Sequence, residues 1–288
     1  MHYDRVNSIL SKNNGMNLFR GCSHGCIYCD SRSDVYSMDH DFEDVLVKEN
    51  AIDLFKSALR RKKEKCMIAT GSMSDPYIPI EEDLCMTRTV LDLINRYGHG
   101  FTCITKSDLI LRDLELLEEI NQKSKVVVGM TLTCCDDRLS KIIEPNVCTT
   151  SRRVEVLRIL QEHNIPTVVW LCPVLPYITD SVENISGILD SCIDVGVQGI
   201  ICFNMGMTLR SGNREYFYEK LDEHFPGLRE IYENKFGNSY GILSPNNKEL
   251  MDLFYKKTNE HNILNKPNEV FKFLNEFPHK KFRQTKLF

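Results

Sequence analysis

The sequence predicts an α/β fold, a parallel sheet covered by helices, on three observations. Short apolar, β-branched runs recur along the first two thirds of the chain, amphipathic helical patterns separate them, and the composition is that of an ordinary globular protein. The 288 residues are 42% apolar with a formal net charge of −4. A chain of this length buries roughly 75% of its unfolded surface, which suits one large domain with or without an appendage.

In chain order, Met1–Asn14 is polar and of mixed charge. Val45–Lys48 is a weak strand candidate ahead of the first helix, in which Ile52, Phe55 and Leu59 share a face. Cys66–Thr70 reads as a buried strand, followed by a helix carrying Leu84, Thr87, Leu91 and Ile94 on one side. Phe101–Thr105 and Val126–Thr133 are the next strands, with Leu111, Leu114 and Leu117 marking the helix between them. Val154, Leu157 and Leu160 then lead to the strand Thr167–Leu171, and Ile185, Ile188 and Leu189 to the strand Gly199–Phe203. Near-continuous apolar strands alternating with helices call for parallel pairing and right-handed crossovers. Six such units make either an open doubly wound sheet or a partial barrel, and in both a ligand sits at the carboxyl ends of the strands.

After about Met207 the pattern turns aromatic and charged, with helical segments at 214–232 and 248–255 broken by Pro226-Gly227 and Ser244-Pro245. We therefore expect an N-terminal segment at 1–15, a core domain at 16–235 and a C-terminal helical extension at 236–288. The basic end, 279–286, reads as a solvated tail.

A pI near 6.1 argues against a protein whose whole surface is a footprint for nucleic acid. The longest nearly apolar stretch, Ile165–Ile178, has 14 residues and three prolines, too short and broken to span a bilayer of about 30 Å. No basic segment followed by an apolar one opens the chain, so a cytoplasmic location is expected. The 12 cysteines all fall from Cys22 to Cys202, and in a reducing compartment they read as buried thiols or metal ligands.

Three of them stand apart. Gly21-Cys22-Ser23-His24-Gly25-Cys26-Ile27-Tyr28-Cys29-Asp30 spaces its cysteines C-x3-C-x2-C among glycines that let the backbone curl. Four thiolates would saturate a zinc ion or an iron–sulfur cubane, whereas three leave one position open for chemistry. Zinc would need a fourth ligand, for which His24 and His40 are the candidates. An iron–sulfur centre is the preferred reading over zinc or plain buried thiols.

C-x3-C-x-aromatic-C, with Tyr28 as the aromatic, resembles the signature of radical S-adenosylmethionine enzymes. The longer stretch from Met16 to Cys29 resembles the branch related to spore photoproduct lyase, the DNA repair photolyase-like proteins. The likeness continues through Thr70–Tyr77, Ile104–Ser107, Leu111–Asp113, Glu144-Pro145 and Lys286–Phe288. It implies a partial (β/α)6 TIM-type barrel and a [4Fe–4S] cluster held by Cys22, Cys26 and Cys29, whose fourth iron takes the amino and carboxylate groups of S-adenosylmethionine. It also implies a flavodoxin- or ferredoxin-type electron donor and a 5′-deoxyadenosyl radical that abstracts hydrogen from a substrate.

By the same likeness Ser74 and Asp75 contact the cofactor's amino group, Lys106 its carboxylate, Thr131 the ribose, Tyr28 the adenine, and Met205 the adenine or the substrate. Each has a plainer reading: turn chemistry at Ser74 and Asp75, a solvated charge at Lys106, strand filler at Thr131, and packing at Tyr28 and Met205. The remaining cysteines read mostly as structural, with Cys66, Cys103, Cys172 and Cys202 as small buried hydrophobes on strands. Two positions depart from spore photoproduct lyases, which carry a hydrogen-donating cysteine where this chain has Ser72 and a tyrosine where it has Asp30. Repair of that lesion is therefore not expected. A DNA lesion lyase using the same chemistry, and a non-catalytic iron–sulfur or zinc module, are the alternatives.

Overall fold

The computed structural model describes residues 1–278; the basic end of the chain lies outside the described residues. Strands β1 (His2–Asp4), β2 (Gly15–Met16) and β3 (Phe19–Arg20) precede the cysteine loop, and β4 (Leu46–Lys48) and α1 (Ala51–Arg61) follow it. Next come β5 (Met67–Thr70), α2 (Glu81–Leu84), α3 (Met86–Tyr97), β6 (Gly100–Thr105), α4 (Leu114–Lys123) and β7 (Val126–Thr131). They are followed by α5 (Asp137–Ile143), α6 (Thr150–Glu162), β8 (Thr167–Trp170), α7 (Val182–Val195) and β9 (Gly199–Ile201). The last elements are β10 (Gly206–Thr208), α8 (Asn213–His224), α9 (Leu228–Phe236), β11 (Gly241–Leu243), α10 (Asn247–Glu260) and α11 (Pro267–Asn275).

Six strands form one sheet in the order β2-β5-β6-β7-β8-β9, and every pairing in it is parallel. This is the partial barrel. The five strong apolar runs supply five of its strands, but the sixth is not the expected Val45–Lys48. That segment is a strand, β4, in a separate sheet, parallel to β1 and antiparallel to β3. The vacant barrel position goes to β2, a pairing of Gly15 with Ala69 and Met16 with Thr70 that is too short to leave a periodic signal.

Two helices also depart from the pattern. Leu84 ends α2, and Cys85, at φ 50°, breaks the helix before α3 begins. The buried Glu81 carboxylate caps α3 by accepting from the Met86 and Thr87 amides, each at 3.0 Å. Arg112 donates to that same carboxylate at 2.8 Å and flanks Asp113, so Leu111–Asp113 of the family likeness does architectural work. Helix α5, which carries little periodicity, is capped by Asp136 accepting from the Leu139 amide at 2.8 Å.

Both faces of the sheet are covered. Val126, Val128 and Val169 pack among the helices with Leu117 and Leu157, whereas Val127, Val168 and Ile201 pack with Val270 and Leu274 of α11. Helix α11 thus lies on the lumen face, and burial on both sides is why these strands read as unbroken apolar runs. The segment before α11 extends the free edge of β9, with the Ile200 amide donating to Leu264 O at 2.8 Å. Lys257 of α10 reaches Ser186 of α7 at 2.7 Å. The residues beyond 236 are therefore bound into the barrel by packing, although composition sets them apart.

Leu274→Ala should lower unfolding free energy by about 2–5 kcal/mol, the usual cost of a truncated core leucine. A detachable appendage would lose about 0.5 kcal/mol or less, and urea denaturation followed by circular dichroism separates the two.

Candidate cofactor site

Parallel pairing brings the carboxyl ends of all six strands to one rim, and the cysteine loop lies across it. Three segments hold its main chain. The Cys22 amide donates to Phe42 O at 2.9 Å, and the Ile27 amide to Ile143 O at 3.0 Å. Asn146 donates to His24 O at 3.1 Å and to Ser23 O at 2.9 Å. Gly21, at φ +83°, has no room for a side chain, because a Cβ there would lie 2.4 Å from Phe42 O.

Cys22 and Cys26 are buried and Cys29 is half-buried. Burial pushes the Cys22 thiol up, with Asp75, Cys29 and Cys26 adding to the effect. It pushes Cys26 up to about 12 against the opposing charge of Lys106. Metal binding here must displace those protons. Among the described residues the three sulfurs do not come within a mutual 4.8 Å, whereas three sulfurs on one tetrahedral zinc lie about 3.8 Å apart. Neither candidate fourth zinc ligand joins them. His24 Nε2 lies 3.0 Å from Asp75 Oδ2, though off hydrogen-bond alignment, and His40 groups with His2 and Asp44. The donor set fits a polynuclear centre better than a single ion.

Asp75, just past β5, is buried and held by three donors. Its Oδ1 accepts from the Tyr77 amide and Thr105 Oγ1, both at 2.8 Å, and its Oδ2 from the Lys106 amide at 2.8 Å, beside His24. Burial alone would raise its pKa, but His24 and these donors hold the carboxyl below its ordinary value. Through these contacts Asp75 ties the cysteine loop to the ends of β5 and β6, and its Oδ2 accepts one hydrogen bond only. The neighbouring Ser74 hydroxyl donates to Gly21 O at 2.6 Å. Gly71 permits this turn, because a Cβ on it would sit 2.2 Å from Ile104 O.

Lys106, closing β6, is the opposite case. Burial acts against its charge, yet Cys26, Glu144 and Cys29 raise its pKa. Its ammonium lies 5.8 Å from the Tyr28 ring centre and has no hydrogen-bonding or ion-pairing partner among the described residues.

A second buried network was not foreseen. Arg153 and Glu144, both fully buried, pair at 2.5 Å. Arg153 also donates to Thr131 O at 3.0 Å and to Cys148 O at 2.9 Å, while Glu144 accepts from the Tyr28 hydroxyl and, at 3.2 Å, from Thr133. Thr131 is buried at the end of β7, where its carbonyl takes part in this network.

Tyr28, Cys29 and Lys106 line one side of a cavity of about 460 Å³ whose far wall is Phe203, Asn204 and the paired strands β10 and β11. Asp30 spans the two sides, accepting from Thr208 Oγ1 at 2.9 Å with Arg210 Nε 3.5 Å away. Met205 is wholly buried in the core and does not line this cavity; Met207 does. Cys172, expected within a strand, lies past the end of β8 and lines it as well. Ser72 is exposed and faces a separate lumen pocket of about 170 Å³ beside Phe271.

The sequence pattern of the radical SAM superfamily matches residues 16–186, more than half of the chain. The chain belongs to the radical SAM superfamily. An uncharacterized protein of Methanocaldococcus jannaschii is 35% identical over 222 residues, covering 76% of this chain and 79% of its own. One from Mycobacterium tuberculosis is 28% identical over 242 residues, covering 82% and 70%. Among solved structures, a spore photoproduct lyase variant superposes with TM-score 0.63 at 15% identity, covering 90% of this chain and 78% of that one. Another, with bound AdoMet and dinucleoside spore photoproduct, gives TM-score 0.60 at 15% identity over 85% and 72%.

As a radical SAM enzyme the protein works with a [4Fe–4S] cluster and S-adenosylmethionine and needs an electron donor. No helix among the described residues is long and apolar enough to cross a membrane.

Arg153→Met should cost about 3–5 kcal/mol in urea unfolding, because it strands a buried carboxylate, and adding Glu144→Gln should recover part of the loss. Burial works against the Glu144 charge, but Arg153 and Lys106 hold its carboxyl below the ordinary 4.5. Its stabilising effect is therefore complete above that pH and lost as pH falls through the lower folded value. Glu144→Gln should flatten the acid limb of the stability profile.

Proposed function

We propose that Cys22, Cys26 and Cys29 hold three irons of the cluster, and that the cavity beside them takes S-adenosylmethionine at the open iron and a small organic substrate. The observation that carries this is Lys106. An ammonium with no carboxylate partner, on the same cavity as Cys29 and Tyr28, suits the carboxylate of the cofactor's methionine part. The Tyr28 ring offers an aromatic face to the adenine. Asp75 Oδ2 and the Ser74 hydroxyl, at the rim beside the cysteine loop, keep lone pairs for the cofactor's amino group, and Thr131 at the end of β7 is the proposed ribose contact, although none of the three lines the cavity itself. Met205 has no part in this assignment.

When bound, the cofactor pair supplies reductive sulfonium cleavage and a radical for hydrogen abstraction. The protein's own contribution is to hold the thiols, the ammonium and the ring on one rim and to exclude water. The far wall is mostly apolar, with Phe203, Met207 and Ile242 set against Asn204 and Thr208, which suits a substrate of mixed character. A flavodoxin- or ferredoxin-type protein is the proposed electron donor. Action on DNA lesions is supported by likeness of fold alone, and Ser72 and Asp30 stand against the spore lesion itself.

Anaerobically reconstituted protein should carry about four irons per chain and yield 5′-deoxyadenosine with dithionite and S-adenosylmethionine. Cys26→Ala should lose both. Stoichiometric zinc on these cysteines with no cofactor cleavage would overturn the reading. Lys106→Met should keep its iron but bind S-adenosylmethionine about 10- to 150-fold more weakly, the worth of one hydrogen bond to a charged group. For DNA, binding that neither weakens with salt nor favours lesion-bearing strands would remove the repair alternative.

A further inference from the structure

We propose that His2, His40 and Asp44 form a second metal site, separate from the cysteine loop, for one divalent cation of the zinc class. One ligand atom from each of these residues lies within 4.8 Å of the other two, the only such group among the described residues. The two imidazoles meet edge to face with centroids 4.6 Å apart. His2 Nδ1 stands 3.0 Å from Asp44 Oδ2, close to the spacing of about 3.3 Å between two ligands on a tetrahedral zinc.

His40 supplies the independent observation. Its Nδ1 lies 2.9 Å from the carbonyl of Asp41, so that nitrogen carries the hydrogen and Nε2 keeps a lone pair. Nε2 is buried and has no hydrogen-bonding partner. A ring nitrogen fixed through a carbonyl on one side and left with a bare, buried lone pair on the other is how metal-binding histidines are usually held. Without a cation that lone pair has given up water for nothing. Two imidazoles and one carboxylate are also a donor set that suits zinc and leaves a fourth position for water.

Asp44 is not idle without the metal, since its Oδ1 also meets the amine of Met1. A cation would therefore replace the His2–Asp44 contact and leave that second one in place. The site joins β1 to the 40–44 turn. The same turn receives the Cys22 amide through Phe42 O, and His40 Cε1 is 3.6 Å from where a Gly21 Cβ would stand. Metal bound here clamps the segment that holds the first cysteine.

The test uses full-length reconstituted enzyme that begins at Met1 with no N-terminal tag. It is incubated with equimolar zinc and desalted, and zinc and iron are counted together by mass spectrometry. The wild type should retain about one zinc beside an unchanged cluster. His40→Ala and Asp44→Ala should each bind zinc more than about 100-fold more weakly, since losing an outer hydrogen-bond partner alone costs roughly 10- to 100-fold. X-ray absorption at the zinc edge of the wild type should show nitrogen and oxygen neighbours with imidazole scattering and no sulfur, which decides the matter even if a variant fails to fold. No zinc retained at micromolar concentration, equal retention by both variants, or sulfur around the zinc would each overturn the proposal. Iron content and 5′-deoxyadenosine yield, read on the same samples, keep this outcome distinct from that of the cysteine site.

Discussion

The arrangement at the rim depends on the buried pair of Arg153 and Glu144. Taking two charges out of water costs several kcal/mol each, and their attraction offsets this only where the remaining donors and acceptors are also satisfied. Arg153 spends its other donors on the carbonyls of Thr131 and Cys148, and Glu144 Oε1 accepts from Tyr28 and Thr133, which leaves Oε2 to the Arg153 charge alone. Those partners lie on the end of β7, the start of α6 and the cysteine loop, so one pair locks three parts of the chain. Its neighbours Ile143 and Asn146 take up the loop's main chain directly. With that pair broken, the loop carrying Cys26 and Tyr28 would lose its floor.

Asp75 does the same work on the other side of the loop, and together the two networks explain why Lys106 is free. The Lys106 amide is spent on Asp75, which fixes the backbone, while its ammonium sits near Glu144 without reaching an ion-pair distance. Asp75 and Glu144 are thus committed to contacts within the protein. The Lys106 ammonium is kept charged by nearby Cys26, Glu144 and Cys29 but is not neutralised by contact. On the proposed reading, a cation placed this way would bind an incoming carboxylate with little reorganisation.

Legibility in the sequence follows the same physics. Five barrel strands are readable because burial on both faces leaves an uninterrupted apolar run, and the cysteine loop because three thiols in eight residues suit neither a helix nor a strand face. Strand β2 is two residues long, and its identity comes only from its pairing with β5. Arg153 reads as a polar residue on an amphipathic helix, and nothing local says that it pairs with an acid across a turn. Glu144-Pro145 is visible as a motif but silent about its task. Asp75 shows the converse: position after a strand points to the rim, but which partners fill a carboxylate is settled by Thr105 and His24, distant in sequence. Met205 and Met207 are two residues apart, a spacing that strand alternation would place on one face; only Met207 belongs to β10, and Met205, just before it, is buried in the core instead.

The cavity draws its two sides from separate stretches of the chain. Tyr28, Cys29, Asp30, Lys106 and Cys172 lie within the segment that matches the superfamily, which ends at residue 186. The facing residues, Phe203 through Thr208 and Gly241 through Leu243, come after it. Strand β11 reaches β10 across some thirty residues of helix, and Asp30 then bridges from the cysteine loop to Thr208. Cofactor chemistry demands a fixed rim, and the buried networks of Arg153 and Asp75 supply it. The facing wall is tied to that rim at several points: Thr208 donates to Asp30, the Ser211 hydroxyl donates to Asp34, and Met207 and Ile242 pack in one buried cluster with Cys26, Ile27 and Tyr28. Rim and wall are therefore one packed unit, and a change on the inner side of β10 or β11 is felt at the cysteine loop.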